Sequence, residues 1–256
     1  MKNCKTAIIT GATSGIGEAI AIRLASQGWR LVITGRRTER LNQLAERLHA
    51  TFGTDVLPLT FDIRDRRQTE LAFTSGLPEA WRGVDLLVNN AGLASGLEPL
   101  QEGDFDDWDK MIDTNIRGVL HATRFIAPLM IGQGGGHIVN IGSIAGKEVY
   151  PNGVVYCATK HAVDALSKGM RLDFVKYGIK VTQVCPGAVE TEFSEVRFHG
   201  DKERAAGVYR GFTPLTADDV ADVVAYAVGL PDHVCLNDIV VMPKAQATAT
   251  VTHKVL

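Results

Sequence analysis

Thr6-Ala7-Ile8-Ile9-Thr10-Gly11-Ala12-Thr13-Ser14-Gly15-Ile16-Gly17 is the stretch that decides the fold. A short apolar run stops at glycine, and Glu18 to Gln27 then reads as an amphipathic helix. The same alternation continues along the chain. Apolar runs at Arg30–Thr34, Val56–Thr60, Asp85–Val88, His137–Ile141, Lys180–Val184 and Asp238–Met242 are separated by helical stretches. Those stretches fall at about Glu39–His49, Arg67–Leu77, Phe105–Met130 and Val155–Lys176. Short continuous apolar runs between helices are strands buried on both faces, and hence a mostly parallel sheet. The expectation is α/β: a single doubly wound Rossmann domain over 1–256 with a mostly parallel seven-stranded sheet. The stretch 189–216 breaks the rhythm just after a strand end. Ligands bind beyond the carboxyl ends of such strands, so 189–216 is expected to cover a substrate, with an ordinary surface helix pair as the alternative.

Composition narrows the classes. Apolar residues make up 45% and charged residues 22% of 256, an ordinary globular mixture. A net charge of -2, from 27 basic and 29 acidic residues, gives no electrostatic case for nucleic acid as a partner. Cys4, Cys157, Cys185 and Cys235 lie far apart with no paired spacing and no histidine at ligand distance, which predicts reduced thiols and no metal. The opening Met1-Lys2-Asn3-Cys4-Lys5 leads into an apolar run too short and too early for a signal peptide. No stretch has the length a bilayer span needs, so the expectation is a cytoplasmic protein with no membrane partner.

The glycine loop has a chemical reading as well. The spacing G-x-x-x-G-x-G at Gly11, Gly15 and Gly17 lets the backbone turn tightly and approach a pyrophosphate, whose charge meets the N-terminus of the next helix. An acidic residue at the tip of the second strand would bind the 2′-hydroxyl of NAD. Here the tip reads Thr34-Gly35-Arg36-Arg37, with no carboxylate. Two planar guanidinium forks suit a 2′-phosphate, so the expected cofactor is NADP(H), although one of the pair could instead decorate a helix start.

On the long helix after the fifth strand stand Tyr156 and Lys160, four apart and so on one helical face. A phenol with an unperturbed pKa of about 10 is a poor base, and a neighbouring ammonium together with the positive nicotinamide ring would lower it. A Tyr-x-x-x-Lys pair alone could be surface decoration. Ser143, just past a strand end, adds a hydroxyl that could meet a substrate oxygen.

Together these residues resemble the short-chain dehydrogenase/reductase family. The resemblance runs nearly the full length through Thr10-Gly11-x-x-x-Gly15-x-Gly17, Asp62, Asn89-Asn90-Ala91-Gly92, Asn115, Ser143, Tyr156-x-x-x-Lys160 and Pro186-Gly187. It implies that Tyr156 is the general acid/base, that Ser143 polarises and orients the carbonyl, and that Lys160 binds the nicotinamide ribose and lowers the tyrosine pKa. It implies that Asn115 holds a water in a proton relay, where a solvent-facing position is the alternative. Cofactor contacts are implied for Thr13, Ser14 and Ile16 in the loop, for Asp62 and Ile63 at adenine, and for Asn89, Asn90, Ala91 and Gly92 on the adenine-ribose side. Pro186, Gly187, Val189 and Thr191 follow, the last two at the carboxamide. Relatives pair through the helices at Phe105–Met130 and Val155–Lys176, which implies a homotetramer.

A narrower resemblance, to bacterial NADP-dependent 3-hydroxy acid (serine/allo-threonine) dehydrogenases, rests on four stretches. They are Arg36-Arg37, Met111-Ile112-Asp113-Thr114-Asn115, Glu192-Phe193-Ser194-Glu195-Val196-Arg197-Phe198 and Asp238-Ile239-Val240-Val241-Met242-Pro243. A hydroxy acid needs a cation for its carboxylate: Arg197 is the first candidate and Lys147 the second, with Ser143 and Tyr150 at the same pocket. A sulfonate, as in sulfoacetaldehyde reductases of similar build, would use the same cation. A non-catalytic NADPH sensor would show damage to Asn115, Ser143, Tyr156 or Lys160, and all four are present. An epimerase would need a larger C-terminal domain. His121, His137 and His161 read as structural or surface groups, and Trp81, Trp108 and Cys157 as packing residues.

Overall fold

The structure is a computed structural model and describes residues 4–255; Met1, Lys2, Asn3 and Leu256 lie outside the described residues. Seven strands form one parallel sheet in the order β3-β2-β1-β4-β5-β6-β7. They are β1 (Thr6–Ile9), β2 (Arg30–Gly35), β3 (Val56–Thr60), β4 (Leu86–Asn89), β5 (Gly136–Ile141), β6 (Ile179–Pro186) and β7 (Asp238–Val241). Each expected strand is present, within a residue or two of its expected bounds.

Helices fill both faces because each strand is apolar in both directions. Ala7 and Ile9 of β1, Leu31 and Ile33 of β2, and Leu86 and Val88 of β4 point to one core. There they meet α1 (Gly15–Ser26), α2 (Thr38–Phe52) and the last helix (Ala217–Gly229). The alternate residues Ile8, Val32 and Leu87 point to the other core, against α3 (Arg66–Thr74), α5 (Gly118–Gly132) and α6 (Val154–Phe174). The helix expected at Phe105–Met130 is not continuous. It runs as α4 (Phe105–Ile112), a π-helical turn (Asp113–Arg117) and α5. Two further helices, α7 (Phe193–Arg197) and α8 (Lys202–Tyr209), precede that last helix, α9. They lie on an excursion whose ends meet: Val189 pairs with Leu215, and Glu190 N donates to Leu215 O at 2.9 Å.

The strand order reverses between β1 and β4, so their crossover helices leave on opposite faces and open a crevice at the carboxyl ends. Behind that crevice His137 lies inside the sheet, its Nε2 at 2.8 Å from Thr182 Oγ1. Burial, helped by Lys180 opposite it in register, pushes its pKa down to about 4. The folded protein therefore holds His137 neutral, whereas the unfolded chain binds a proton near pH 6.5. Its contribution is intact above about pH 6.5 and is lost as pH falls towards 4, by roughly 3 kcal/mol in all. Urea unfolding between pH 7 and pH 4 should show that loss, and His137→Gln should flatten it. An unchanged slope in the variant would place the acid sensitivity elsewhere.

Candidate active site

The glycine loop forms because no side chain fits in it. Gly11 and Gly15 take positive φ, at 68° and 55°. A Cβ at Gly11 would stand 2.8 Å from Cα of Ala91, and one at Gly17 2.4 Å from the carbonyl oxygen of Gly11. The loop is stitched to the end of β4. Thr10 Oγ1 accepts from the amides of Asn90 and Ala91, each at 3.0 Å. Asn90 Nδ2 donates to the carbonyls of Thr10 and Gly11 at 2.9 and 3.1 Å. Ser14 begins α1 in extended conformation without bonding it through its side chain, so the first-turn amides are left for a ligand.

From this loop a cleft of about 330 Å³ runs across the sheet, lined by Gly11, Thr13, Ser14, Gly15, Ile16, Arg36, Arg37, Asp62, Ile63, Ala91 and Gly92. It continues past Ser143, Tyr156 and Lys160 to Pro186, Gly187, Val189 and Thr191. Gly17 lies beneath the loop rather than on the cleft wall. Asn89 corrects an expectation. Its side chain turns into the core and donates to Thr123 Oγ1 (3.1 Å) and Asn140 Oδ1 (2.8 Å), while Asn90 takes the cleft side. The reason is strand parity: Asn89 ends β4 as an inward residue, and the next one faces the loop.

At the tip of β2 the arginines differ. Arg36 is largely exposed, and its one ionic neighbour is Asp62 at 3.9 Å. Arg37 is engaged: Nε and NH2 donate to Thr13 Oγ1 at 3.0 and 2.8 Å, and NH2 to Ser14 Oγ at 2.7 Å. Its NH1 donates to Glu192 at 2.9 Å. Asp62 accepts the fork of Arg64, with the closest approach at 2.6 Å. Burial alone would raise the Asp62 pKa, but the Arg64 bonds and charge outweigh it and hold the carboxyl below its ordinary value.

The reacting end lies where β5 and α6 converge. Ser143 is the first residue beyond Gly142 after β5, and its Oγ accepts from Ala145 N at 3.1 Å, which sets the hydroxyl. Tyr156 and Lys160, one turn apart on α6, are both buried. Lys160 Nζ donates to Ile141 O at 2.9 Å and stands 6.0 Å from the Tyr156 ring centre. Gly92 keeps the space above it open, since a Cβ there would come 3.5 Å from that nitrogen. Burial brings the Lys160 pKa down to about 8. For Tyr156 the expectation of a lowered pKa does not hold in the protein alone. Burial, then Tyr150, drives it well above the phenol range, against the opposing pull of Arg197 and Ser143. The Lys160 ammonium is turned to a carbonyl, so desolvation wins.

Asn115 sits in the π-helical turn and is almost wholly buried, so the solvent-facing alternative is excluded. Its Nδ2 donates to Leu93 O (2.8 Å) and Thr159 Oγ1 (3.0 Å), and its Oδ1 accepts from Leu93 N (2.9 Å). It thereby ties the loop following β4 to the helix that carries Tyr156.

The two candidate cations separate cleanly. Lys147 points away from the cleft into an acidic pair, Asp164 and Asp238, the latter at 3.0 Å. That commitment removes it as a substrate ligand. Arg197 comes to Tyr156: its guanidinium carbon is 5.0 Å from that ring centre, 5.7 Å from Tyr150 and 5.6 Å from Phe193. Its NH2 donates to Tyr150 OH at 2.5 Å, while its Nε is buried with no protein partner. Phe193 packs edge-on against Tyr156 at 5.6 Å. Phe193 and Glu192 are site residues to which the sequence reading gave no role; both are brought in by α7, whose placement no local pattern encodes.

The geometry invites comparison with known proteins, and the likeness is extensive. Residues 5–202 match the short chain dehydrogenase family. The chain is 46% identical to a probable NADP-dependent dehydrogenase of Haemophilus influenzae, over 95% of each chain. It is 46% identical to sulfoacetaldehyde reductase 2 of Chromohalobacter salexigens (94% of each), and 44% identical to an NADP-dependent 3-hydroxy acid dehydrogenase of Salmonella typhi (94% of this chain, 96% of that one). Among solved structures, the closed form of serine dehydrogenase complexed with NADP+ superposes with a TM-score of 0.91 at 40% identity, covering 98% of this chain and all of that one. With the glycine loop, the Ser143–Tyr156–Lys160 cleft and these full-length likenesses all in agreement, the chain belongs to the short-chain dehydrogenase family.

Proposed function

We propose that this protein is an NADP(H)-dependent oxidoreductase that interconverts a small 3-hydroxy acid, or a hydroxy amino acid such as serine, with its carbonyl form. The observation that carries the reading is a pair of arginines: Arg36, largely exposed on the cleft wall at the β2 tip, and Arg197, packed behind that wall with its guanidinium 5.0 Å from the Tyr156 ring centre and its Nε buried and unpartnered. The first suits a 2′-phosphate, the second the carboxylate of a substrate whose reacting oxygen lies at Ser143 and Tyr156.

The cleft fits such a dinucleotide. The glycine cradle excludes a Cβ at Gly11 and Gly17, and uncapped amides open α1. Thr13, Ser14 and Ile16 would hold the pyrophosphate, Asp62, Ile63, Ala91 and Gly92 the adenine side, and Lys160, Val189 and Thr191 the nicotinamide side. When bound, the nicotinamide supplies or accepts the hydride. Ser143 donates a hydrogen bond to the carbonyl oxygen as negative charge grows there. Tyr156 delivers the proton to that oxygen, and takes it back in the oxidation direction. Lys160 places a positive charge next to the phenolate so formed, and Asn115 holds α6 against the loop after β4. The segment 189–216 covers the substrate: Gly96 N donates to Arg197 O at 2.9 Å, and His199 reaches Asp107 at 3.1 Å, fastening α7 across the cleft mouth.

A sulfonate in place of the carboxylate is a second reading, favoured by the 46% identity to a sulfoacetaldehyde reductase. A homotetramer is supported by large apolar side chains left exposed on the family's pairing helices, among them Phe105 at 75% and Leu172 at 79%. A reducing, cytoplasmic setting is supported by four free cysteines. Among the described residues no helix is long and apolar enough to cross a membrane.

The test is a panel of serine, allo-threonine, 3-hydroxypropionate, 3-hydroxyisobutyrate and isethionate, each with NADP+ and NAD+ side by side. Reduction of NADP+ with an anionic hydroxy compound is expected, and a preference for NAD+ or for uncharged alcohols would overturn the reading.

A further inference from the structure

Glu192 stands at the start of α7, one residue before Phe193 and five before Arg197. Its carboxylate rests on two guanidinium groups, accepting from NH1 of Arg37 at 2.9 Å and from NH1 of Arg40 at 2.7 Å. The remaining bonds of Arg37 go to the glycine loop, at Thr13 and Ser14. Glu192 thus occupies the one Arg37 nitrogen not turned onto that loop, at the strand tip where a 2′-phosphate is read. Burial works against its ionisation, but the Arg40 and Arg37 bonds prevail and bring its pKa down to about 2, so it is a full anion at neutral pH.

We infer that Glu192 is a specificity-determining residue: an internal anion that competes with the 2′-phosphate of NADP for Arg37 and Arg40, and thereby couples phosphate binding to the placement of α7. The inference rests on the NADP reading above. A phosphate monoester carries close to two negative charges and three acceptor oxygens, against one charge and two oxygens for Glu192. It takes the outward donors, and a carboxylate left beside it is repelled. NAD presents a neutral hydroxyl there and leaves Glu192 in place. Release of Glu192 loosens the start of α7, which carries Phe193 on the Tyr156 ring and Arg197 next to it. By linkage the effect is reciprocal: what the phosphate takes from the anchoring of α7, the anchoring takes from phosphate affinity. A residue at the phosphate end thus reports to the substrate end through one short helix.

The experiment measures NADP+ and NAD+ binding by calorimetry for the wild-type chain and Glu192→Gln, with hydrogen exchange over residues 193–200 in each complex. Glu192→Gln keeps the side-chain length at an exposed position and removes the charge. We expect the Kd for NADP+ to fall about three- to tenfold, the size of an exposed ionic competitor, with NAD+ unchanged within about twofold. In the wild type, 193–200 should exchange faster with NADP+ than with NAD+, and the variant should lose that difference. Weaker NADP+ binding in Glu192→Gln would make Glu192 an orienting strut and overturn the inference. So would equal shifts for both dinucleotides, no shift for either, or identical exchange in the two wild-type complexes. If the wild-type chain binds NAD+ as tightly as NADP+, the NADP reading fails and the inference falls with it. A wild-type preference for NADP+ that Glu192→Gln leaves intact removes only the role of Glu192.

Discussion

Replacing Tyr156 with Phe should lower kcat by roughly 10²–10⁴-fold while leaving dinucleotide binding and thermal stability close to those of the parent. The substitution deletes one hydroxyl and keeps the ring. The ring supports the local packing: it is buried, meets Phe193 edge-on and lies beneath Arg197. On the proposed mechanism the lost oxygen is the one that moves a proton, whereas a merely structural tyrosine predicts the opposite pattern, with stability falling and kcat nearly intact. Steady-state turnover and a thermal melt on the same preparation separate the two. A Tyr156→Phe protein that still turns over at a tenth of the parental rate would take the phenol out of the chemistry.

The second large effect concerns Arg197. Arg197→Leu should cut kcat/KM for an anionic substrate by roughly two to three orders of magnitude, the scale of a charge-assisted fork removed from a partly desolvated site. An uncharged alcohol or aldehyde of similar size should lose no more than a fewfold. The contrast is the point, because leucine also disturbs the packing against Tyr150, Tyr156 and Phe193 and lowers both activities somewhat. Tyr150→Phe gives a milder companion: it removes the hydroxyl that accepts from Arg197 NH2 and leaves the cation in place. Equal losses for charged and neutral substrates in Arg197→Leu would reduce the arginine to a packing residue.

How much of this was legible beforehand depends on whether a feature is written locally. The parallel sheet could be read because Ala7-Ile8-Ile9 and Leu31-Val32-Ile33 are apolar in both directions, and only a strand covered on two faces needs that. The phosphate loop was legible because Gly11 and Gly17 occupy positions where a side chain would collide with backbone. Asn89 is misplaced because which of two adjacent residues faces the cleft depends on where β4 ends, a matter of one residue, whereas Asn90 lies on the cleft as expected. The π-helical form of the turn at Asn115 and its tie to Leu93 and Thr159 needed the packed structure.

Long-range charge pairing was the least legible. The sequence ranks Arg197 ahead of Lys147 without a contact to decide it, and what divides them is that Asp164 and Asp238 converge on Lys147 from α6 and β7. Glu192 meets Arg37 across 155 positions of chain, a contact set by the return of the 189–216 segment. That the ammonium by itself does not lower the tyrosine pKa in the protein alone has a related reason. The spacing of Tyr156 and Lys160 shows that they share a helical face, but not that the ammonium is spent on the Ile141 carbonyl while burial dominates the phenol.

The most direct test of the central claim is the rate of NADPH consumption with a small carbonyl acid, set beside an uncharged carbonyl of matched size, in one preparation and with NADH as the parallel reductant. The account predicts turnover with NADPH that favours the anionic carbonyl by at least about tenfold in kcat/KM, the ratio worth one charge-assisted contact. Absence of NADPH oxidation with any carbonyl, or equal rates with charged and neutral partners, would contradict it.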